Sequence, residues 1–330
     1  MLYLHGIGHF HPENVIDNHF LEELDIGTTD EWIMERVGIR TRRTVLPLDY
    51  IRTTKNAEPR EAAAAALYSH AQMGATAARM ALARAGLQAH DIGMVISGSS
   101  APDFVSPAES TSIAAELGIE VPCFDLSSAC TSFGMQITLL AGMMPASLPP
   151  YVLIVNPETL TRCVDYRDRN SAVLFGDGCA ATIVSTHVLS RASFTACTVD
   201  SKPSDWGKVS IPRLEYFSQD GRAVQGFAIR KTTDSVRLLK ATNSQNGSCF
   251  KFIGHQANLG MLVTVCERAE IPPEDHWHNV ETFGNTGCAG APSVLSQHWE
   301  ELQPGDHVAI ALVGAGLTWV HMLLNIEGYA

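Results

Sequence analysis

The sequence has no long apolar run. Its apolar stretches are short and broken by Gly, Ser or charge, which excludes the ~20 consecutive apolar residues of a membrane-spanning helix. The opening residues, Met1-Leu2-Tyr3-Leu4-His5-Gly6, lack a basic segment followed by a cleavable apolar one. No secretory leader is therefore expected, and a cytoplasmic location is. None of the eight cysteines forms a C-x-x-C pair. Several, such as Cys179 and Cys266, lie in apolar runs, which suits reduced thiols better than a disulfide frame. Positive charge is scarce: 23 Lys and Arg stand against 35 Asp and Glu, a net charge of −12. That balance disfavours a nucleic-acid partner. What remains is a globular chain of 330 residues, 45% hydrophobic and 18% charged, long enough for a large core or two fused units.

The scarce positive charge is concentrated. Arg36, Arg40, Arg42 and Arg43 lie within eight residues. They read either as a local site for an anionic ligand or as a solvated basic face.

Strand and helix signals alternate along the chain. Apolar strands are expected at 2–8, 92–98, 122–126, 151–156 and 179–185, and again at 194–200, 250–254, 307–313 and 319–326. Helices are expected at 30–37, 72–85, 107–117 and from Cys130 to about 140, then at 235–241 and 261–268, with Gly86 and Gly118 as stops. The alternation predicts parallel sheets covered by helices. It restarts near residue 190, which predicts two related halves, 1–187 and 188–330. The polar stretch 202–221 reads as a surface excursion that shapes a binding site. The similarly polar stretch 50–61 reads as a mobile loop.

The chemistry centres on Asp125-Leu126-Ser127-Ser128-Ala129-Cys130-Thr131-Ser132. Cys130 falls at a strand-to-helix junction, where the positive end of the helix dipole favours thiolate over thiol. Two later runs supply partners: Gly254-His255-Gln256-Ala257-Asn258 and Phe283-Gly284-Asn285-Thr286-Gly287. A nucleophile, a proton carrier and a hydrogen-bonding amide make an acyl-transfer set in the generalised sense. The other cysteines read differently. Cys123, Cys179, Cys197 and Cys266 are expected in the core, while Cys163, Cys249 and Cys288 stay open. Phe175-Gly176-Asp177-Gly178 reads as a tight turn under the site. It is not a phosphate cradle, because no Lys and Ser/Thr follow.

With Thr29-Asp30-Glu31-Trp32-Ile33, Val37-Gly38-Ile39-Arg40, Asp168-Arg169 and Gly314-Ala315-Gly316-Leu317-Thr318-Trp319 added, the chain resembles, from end to end, the β-ketoacyl synthases III of the thiolase superfamily. The resemblance implies a five-layered αβαβα thiolase-like α/β fold of two pseudo-twofold halves, usually in a homodimer. It implies an acyltransferase that works by condensation. Cys130 takes an acyl group from a thioester, a malonyl-type thioester is decarboxylated, and its carbanion attacks the acyl-cysteine. His255 and Asn285 would stabilise the charge that decarboxylation creates. The backbone N–H groups of Cys130 and Ala315 would hold the oxyanion at the acylated sulfur. Trp32, Arg36 and Arg169 would surround the nucleotide end of coenzyme A, and Asn258 the pantetheine arm. Coenzyme A or phosphopantetheine thioesters are then substrates, with acyl carrier protein or acyl-CoA as partner. No separate cofactor and no metal are expected.

Four positions depart from the family's usual residues. Gly260 and Glu267 stand where the carrier-facing patch commonly has Arg and Lys. Val313 and Val105 stand where Phe is common, Val105 at the place where Phe enters the neighbouring subunit's pocket. Less aromatic volume implies a wider acyl pocket. These departures point to a specialised, natural-product relative, which could join two carrier-bound β-ketoacyl chains into a pyrone. An alternative is Cys-dependent acyl transfer to a hydroxyl or amine without decarboxylation. A thiolase is less favoured, because no second Cys in a Cys-x-Gly context lies beyond Cys288. A non-catalytic scaffold partner is less favoured because Cys130 is present.

Overall fold

The computed structural model describes residues 1–213, 215–243 and 250–328. Nine strands form one sheet: β1 (Leu2–Phe10), β2 (Met94–Ser97), β3 (Cys123–Asp125), β4 (Val152–Thr159), β5 (Asp177–Ser185), β6 (Ala192–Ser201), β7 (Phe250–Gly254), β8 (His307–Gly314) and β9 (Thr318–Ile326). Their spatial order is β7-β8-β9-β6-β1-β5-β4-β2-β3. The middle of that order is a joint. At it, β1 and β6 pair antiparallel, with Leu2 opposite Phe194 and Leu4 opposite Ala192.

Outward from the joint the pattern repeats. The first strand of each series pairs antiparallel with its last, β1 with β5 and β6 with β9. The last pairs antiparallel with the one before it, β5 with β4 and β9 with β8. That one pairs parallel with an earlier strand, β4 with β2 and β8 with β7. The all-parallel expectation is therefore corrected to a mixed sheet. The physical reason is connection length. β8 reaches β9 through three residues, Ala315–Leu317, too few for the crossover a parallel neighbour needs.

The principal helices are α1 (Asp30–Arg36), α2 (His70–Ala85), α3 (Glu109–Leu117), α4 (Ser132–Gly142), α5 (Gly221–Asn243), α6 (Leu259–Ala269) and α7 (Gly290–Gln297). They fall into three layers. α2 and α3 cover the outer face of the β1-side strands, α5 and α6 cover the outer face of the β6-side strands, and α4 and α7 lie between. Strand periodicity decides which side chain enters which layer. In β4, Leu153 and Val155 face the outer core with Met73 and Ile113, while Val152 and Ile154 face the central core with Phe133, Ile137 and Leu295. In β7, Phe252 packs with Leu262 and Val265, and Ile253 with the central core. Because both faces are covered, these strands read as unbroken apolar runs. The small residues of α2 serve close approach: a Cβ at Gly6 or Gly8 of β1 would strike the carbonyls of Ala81 or Ala77. Among the described residues, no helix is long and apolar enough to cross a membrane.

Two other expectations change. Residues 50–61 are not a loop. Two short helices, Leu48–Thr54 and Pro59–Ala65, take up all but the connecting residues 55–58, and Ile51 and Ala62 are buried. The helix expected at 235–241 begins fourteen residues earlier, at Gly221. The polar excursion was expected to run to Gly221, but Phe227, Ala228, Val236 and Leu239 are buried along the helix, and tertiary packing overrides the weak local propensity.

Candidate active site

Cys130 is presented by a turn. Ala129 before it has φ +46°, a left-handed conformation uncommon outside glycine. Thr131 N–H donates to the Ser128 carbonyl at 3.0 Å, and the Ser128 N–H donates to the Ser132 hydroxyl at 2.8 Å. The turn delivers the sulfur at the start of α4. The loop after β8 lies directly on it: a Cβ at Gly314 would sit 3.2 Å from the backbone nitrogens of Cys130 and Thr131. A larger residue there would have to push the Cys130 turn back by a few tenths of an ångström.

His255 follows β7, with its N–H on the Ala311 carbonyl at 3.0 Å. Gln256 fixes the loop from inside. Its amide donates to the Gly254 carbonyl at 2.7 Å and accepts from the N–H groups of Asn279 and Val280 at 3.0 and 3.2 Å. Asn285 is held by the glycine turn: its N–H donates to the Leu174 carbonyl at 2.8 Å, and its carbonyl accepts from Gly176 N–H at 3.1 Å. The Gly287 N–H donates to Asn285 Oδ1 at 3.0 Å. With Oδ1 taken, the amide NH₂ is the group left for the cavity. Phe175-Gly176-Asp177-Gly178 is not the tight turn expected: Phe175 bridges to Asn285, and Asp177 and Gly178 open β5. Buried Asp177 anchors it by accepting from Val45 N–H at 2.8 Å and Thr161 N–H at 2.9 Å.

A cavity of about 570 Å³ gathers these groups. Cys130, His255, Asn285, Gly314, Ala315 and Val313 line it, and so do Trp32, Arg36 and Asn258. Arg169 does not line it. Its guanidinium lies 4.8 Å from the Trp32 ring centroid, which Arg36 also approaches at 5.1 Å, and donates to the Gly27 carbonyl at 2.6 Å. The Asn258 carboxamide oxygen caps α6, accepting from Met261 N–H at 2.7 Å. Val105 lies outside its own chain's cavity, 74% exposed beside Phe104.

The electrostatics correct one expectation. Burial, followed by the charge of Glu158, pushes the Cys130 thiol up to about 12. Burial alone holds His255 down at about 4. The resting pair is a neutral thiol and a neutral imidazole, not the expected thiolate. A helix dipole contributes at most ~2 kcal/mol in favour of the anion, equivalent to roughly 1.5 pKa units, and burial outweighs it.

The arginine cluster divides. Arg36 alone lines the cavity. Arg42 is wholly buried and donates to the carbonyls of Val173 and Ile39 and to Asn18 Oδ1. Arg40 pairs with Glu281 at 2.6 Å, and Arg43 donates to the carbonyls of Pro12 and Glu13. Of the other cysteines, Cys179, Cys266 and Cys288 are buried, while Cys123, Cys163 and Cys197 are half-buried. Cys123 and Cys197 were expected in the core. Cys249 lies outside the described residues.

Sequence reasoning missed several wall residues. Asp168, Asn170 and Ser171 line the cavity, as do Val209, Phe217 and Val224. The 202–221 excursion does shape the site. Glu158 was missed as well, although a carboxylate ending the apolar run Val152-Leu153-Ile154-Val155 was its signal.

Comparison with known proteins agrees with this architecture. Residues 124–203 match the family model described as 3-oxoacyl-[acyl-carrier-protein] synthase III, and residues 239–326 match its C-terminal counterpart. A β-ketoacyl-[acyl-carrier-protein] synthase III of Sulfurovum sp. is 30% identical, over 98% of this chain and 95% of that protein. The crystal structure of the 3-oxoacyl-[acyl-carrier-protein] synthase III from Aquifex aeolicus superposes with a TM-score of 0.85 at 28% identity, covering 98% of this chain and 100% of that one. The priming β-ketosynthase of the R1128 polyketide pathway superposes at 0.83 with 25% identity, covering 99% and 97%. Layers, strand order and these likenesses agree, and the chain belongs to the 3-oxoacyl-[acyl-carrier-protein] synthase III family of thiolase-fold acyltransferases.

Proposed function

We propose that this chain is a condensing enzyme in which Cys130 carries the acyl group and a malonyl- or β-ketoacyl-type thioester supplies the carbon nucleophile. The observation that carries the reading is the shared cavity. Cys130, His255, Asn285 and Ala315 come from four separate loops and line one space.

In the first half-reaction the thiol attacks the thioester carbonyl. Its proton passes to His255 and then to the departing thiol, so no proton is gained or lost overall. The oxyanion meets the N–H groups of Cys130 and Ala315. In the second, a malonyl thioester loses CO₂. The enolate oxygen accepts from the His255 imidazole and the Asn285 amide. The carbanion attacks the acyl carbon, the C–S bond to Cys130 breaks, and the released thiolate takes up one proton from water, which restores the resting thiol. Neutral donors in a buried site suit a charge that exists only in transit.

Trp32, Arg36 and Arg169 are read as the cradle for the coenzyme A nucleotide, with Asn258 near the pantetheine arm. Gly260 and Glu267 weaken the carrier-facing charge, which favours a carrier other than that of primary fatty-acid synthesis. The exposed pair Phe104 and Val105 favours a homodimer in which each copy closes the other's cavity. The likeness to a polyketide priming ketosynthase supports a natural-product role. Joining two carrier-bound β-ketoacyl chains into a pyrone is the specific form of that role.

The test loads the enzyme with an acyl-CoA panel, then chases with malonyl thioester, β-ketoacyl thioester, alcohol or amine. Carbon–carbon-bonded product from either thioester is expected. Ester or amide from the alcohol or amine, with no carbon–carbon product, would replace this reading by simple acyl transfer.

A further inference from the structure

The loop after β2 carries four exposed residues in a row, Phe104 to Pro107, and it is fastened on both sides of them. Before them, Asp103 pairs with Arg162 at 2.7 Å, and Arg162 donates to the Ala101 carbonyl at 3.2 Å. Asp103 also accepts from the His70 N–H at 2.8 Å. After them, Glu109 is buried at the start of α3. Its Oε1 accepts from the Phe104 N–H at 3.1 Å, and its Oε2 meets His70 Nδ1 at 2.7 Å. A carboxylate only accepts, so Nδ1 carries a proton and donates it. His70 is wholly buried, and its Nε2 meets the Thr159 hydroxyl, at the end of β4, at 2.8 Å.

Helix capping does not account for these side chains. Ser69 and Gln72 already form a capping box at the start of α2. At the start of α3, Asp125 accepts from the N–H groups of Glu109 and Ser110 at 2.7 and 3.0 Å. A buried carboxylate also carries a desolvation cost that its hydrogen bonds only offset. What the Glu109 and His70 side chains add is a fixed path for the backbone at Phe104 and Val105, whose side chains are 55% and 74% exposed. Exposed apolar groups on a pinned backbone suit a pre-formed contact, because little freedom is lost when they dock. The setting favours a second copy of this chain as the surface they meet. Asp125 ends β3, the outermost strand of the sheet, and among the described residues β3 has a neighbour on one side only. Phe124 on that strand is 38% exposed. An open strand edge beside an apolar loop can pair with its own copy about a twofold axis.

We propose that His70 and Glu109 are positioning residues that set acyl-chain selectivity: they hold the Phe104 backbone so that Val105 bounds the acyl chain in the cavity of a second copy. The proposal rests on the readings above that Cys130 is acylated and that each copy closes the other's cavity. Neither His70 nor Glu109 touches substrate, and both act through Val105. With the pair in place the wall is rigid, and a short chain fits against it. Without the pair the loop gives way, and a longer chain enters.

The test compares the second-order rate constants for acylation of Cys130 by decanoyl-CoA and by acetyl-CoA, as a ratio, in the full chain. Val105→Gly should raise the ratio, since a methylene's worth of pocket changes discrimination by about tenfold or more. Glu109→Ala should raise it about tenfold as well. Added to Val105→Gly, it should raise the ratio little further, because two changes acting through one side chain are not additive. Glu109→Gln keeps an acceptor for the Phe104 N–H and should stay near wild type. Equal slowing with both thioesters, or effects that add, would mean loosened packing and overturns the proposal. A Glu109→Ala protein that melts like wild type with an unchanged ratio, while Val105→Gly moves it, overturns the proposal and leaves the shared cavity standing. A ratio that Val105→Gly does not move removes the shared cavity and the proposal with it. Absence of acylation by either thioester removes the acyl-cysteine reading, and the proposal falls with that too. If Glu109→Ala does not fold, Asp103→Ala, at the half-buried end of the network, decides by the same ratio.

Discussion

The two sides of Cys130 differ in charge. Toward the cavity stand a neutral imidazole and an amide, His255 and Asn285, both buried. The second is the buried Glu158 carboxylate, whose charge raises the Cys130 thiol and which accepts four hydrogen bonds from two loops. The front can receive negative charge and carries none of its own. The back carries a fixed negative charge and opposes more.

Removing the front donors should have the largest effect. Asn285→Ala is expected to lower malonyl-thioester decarboxylation by ~10²–10³, measured as CO₂ release, while the alkylation profile of Cys130 stays within a few-fold of wild type. His255→Ala should show a similar loss of decarboxylation. A front variant that shifted the thiol profile as strongly as Glu158→Gln would erase the distinction between the two sides.

The smallest effect is an absence. Burial places His255 at about 4, below its ordinary 6.5. The imidazole is therefore neutral at any pH above about 4, and only below that does it charge. The decarboxylation rate should show no inflection between pH 8 and 5. An inflection near 6.5 in a pH–rate profile would mean that the front is open to water and not as described.

Much of this site was legible because its groups sit at turns. Cys130, His255 and Asn285 each follow or flank a glycine or a strand end, and such positions are visible in sequence. Asn285 beside Gly284 could have been only a turn residue, and it also lines the cavity. What was not legible depended on burial. The dipole at Cys130 could be read from a strand-to-helix junction, but the desolvation that outweighs it could not. Nor could spacing show that Arg42 would point inward to the Val173 carbonyl while Arg36 reached the cavity. The two residues lie on different elements, α1 and a short strand at Thr41–Thr44. Glu158 was hidden for the opposite reason, since a charge in an apolar strand is legible as unusual but not as a partner of Ser100. The fold followed the same rule. Strands covered on both faces gave long apolar signals, whereas α5 starts with Gly221, Arg222 and Gln225 and depends on Phe227 and Val236 finding their cores.

The central claim is that one sulfur is esterified during turnover. Intact-protein mass spectrometry after incubation with an acyl-CoA tests it most directly, comparing wild type with Cys130→Ala. The account predicts a gain of one acyl mass in the wild type, mapped to Cys130, and none in the variant. An adduct that persists in Cys130→Ala, or a wild type that takes up no acyl group from any chain length offered, would contradict it.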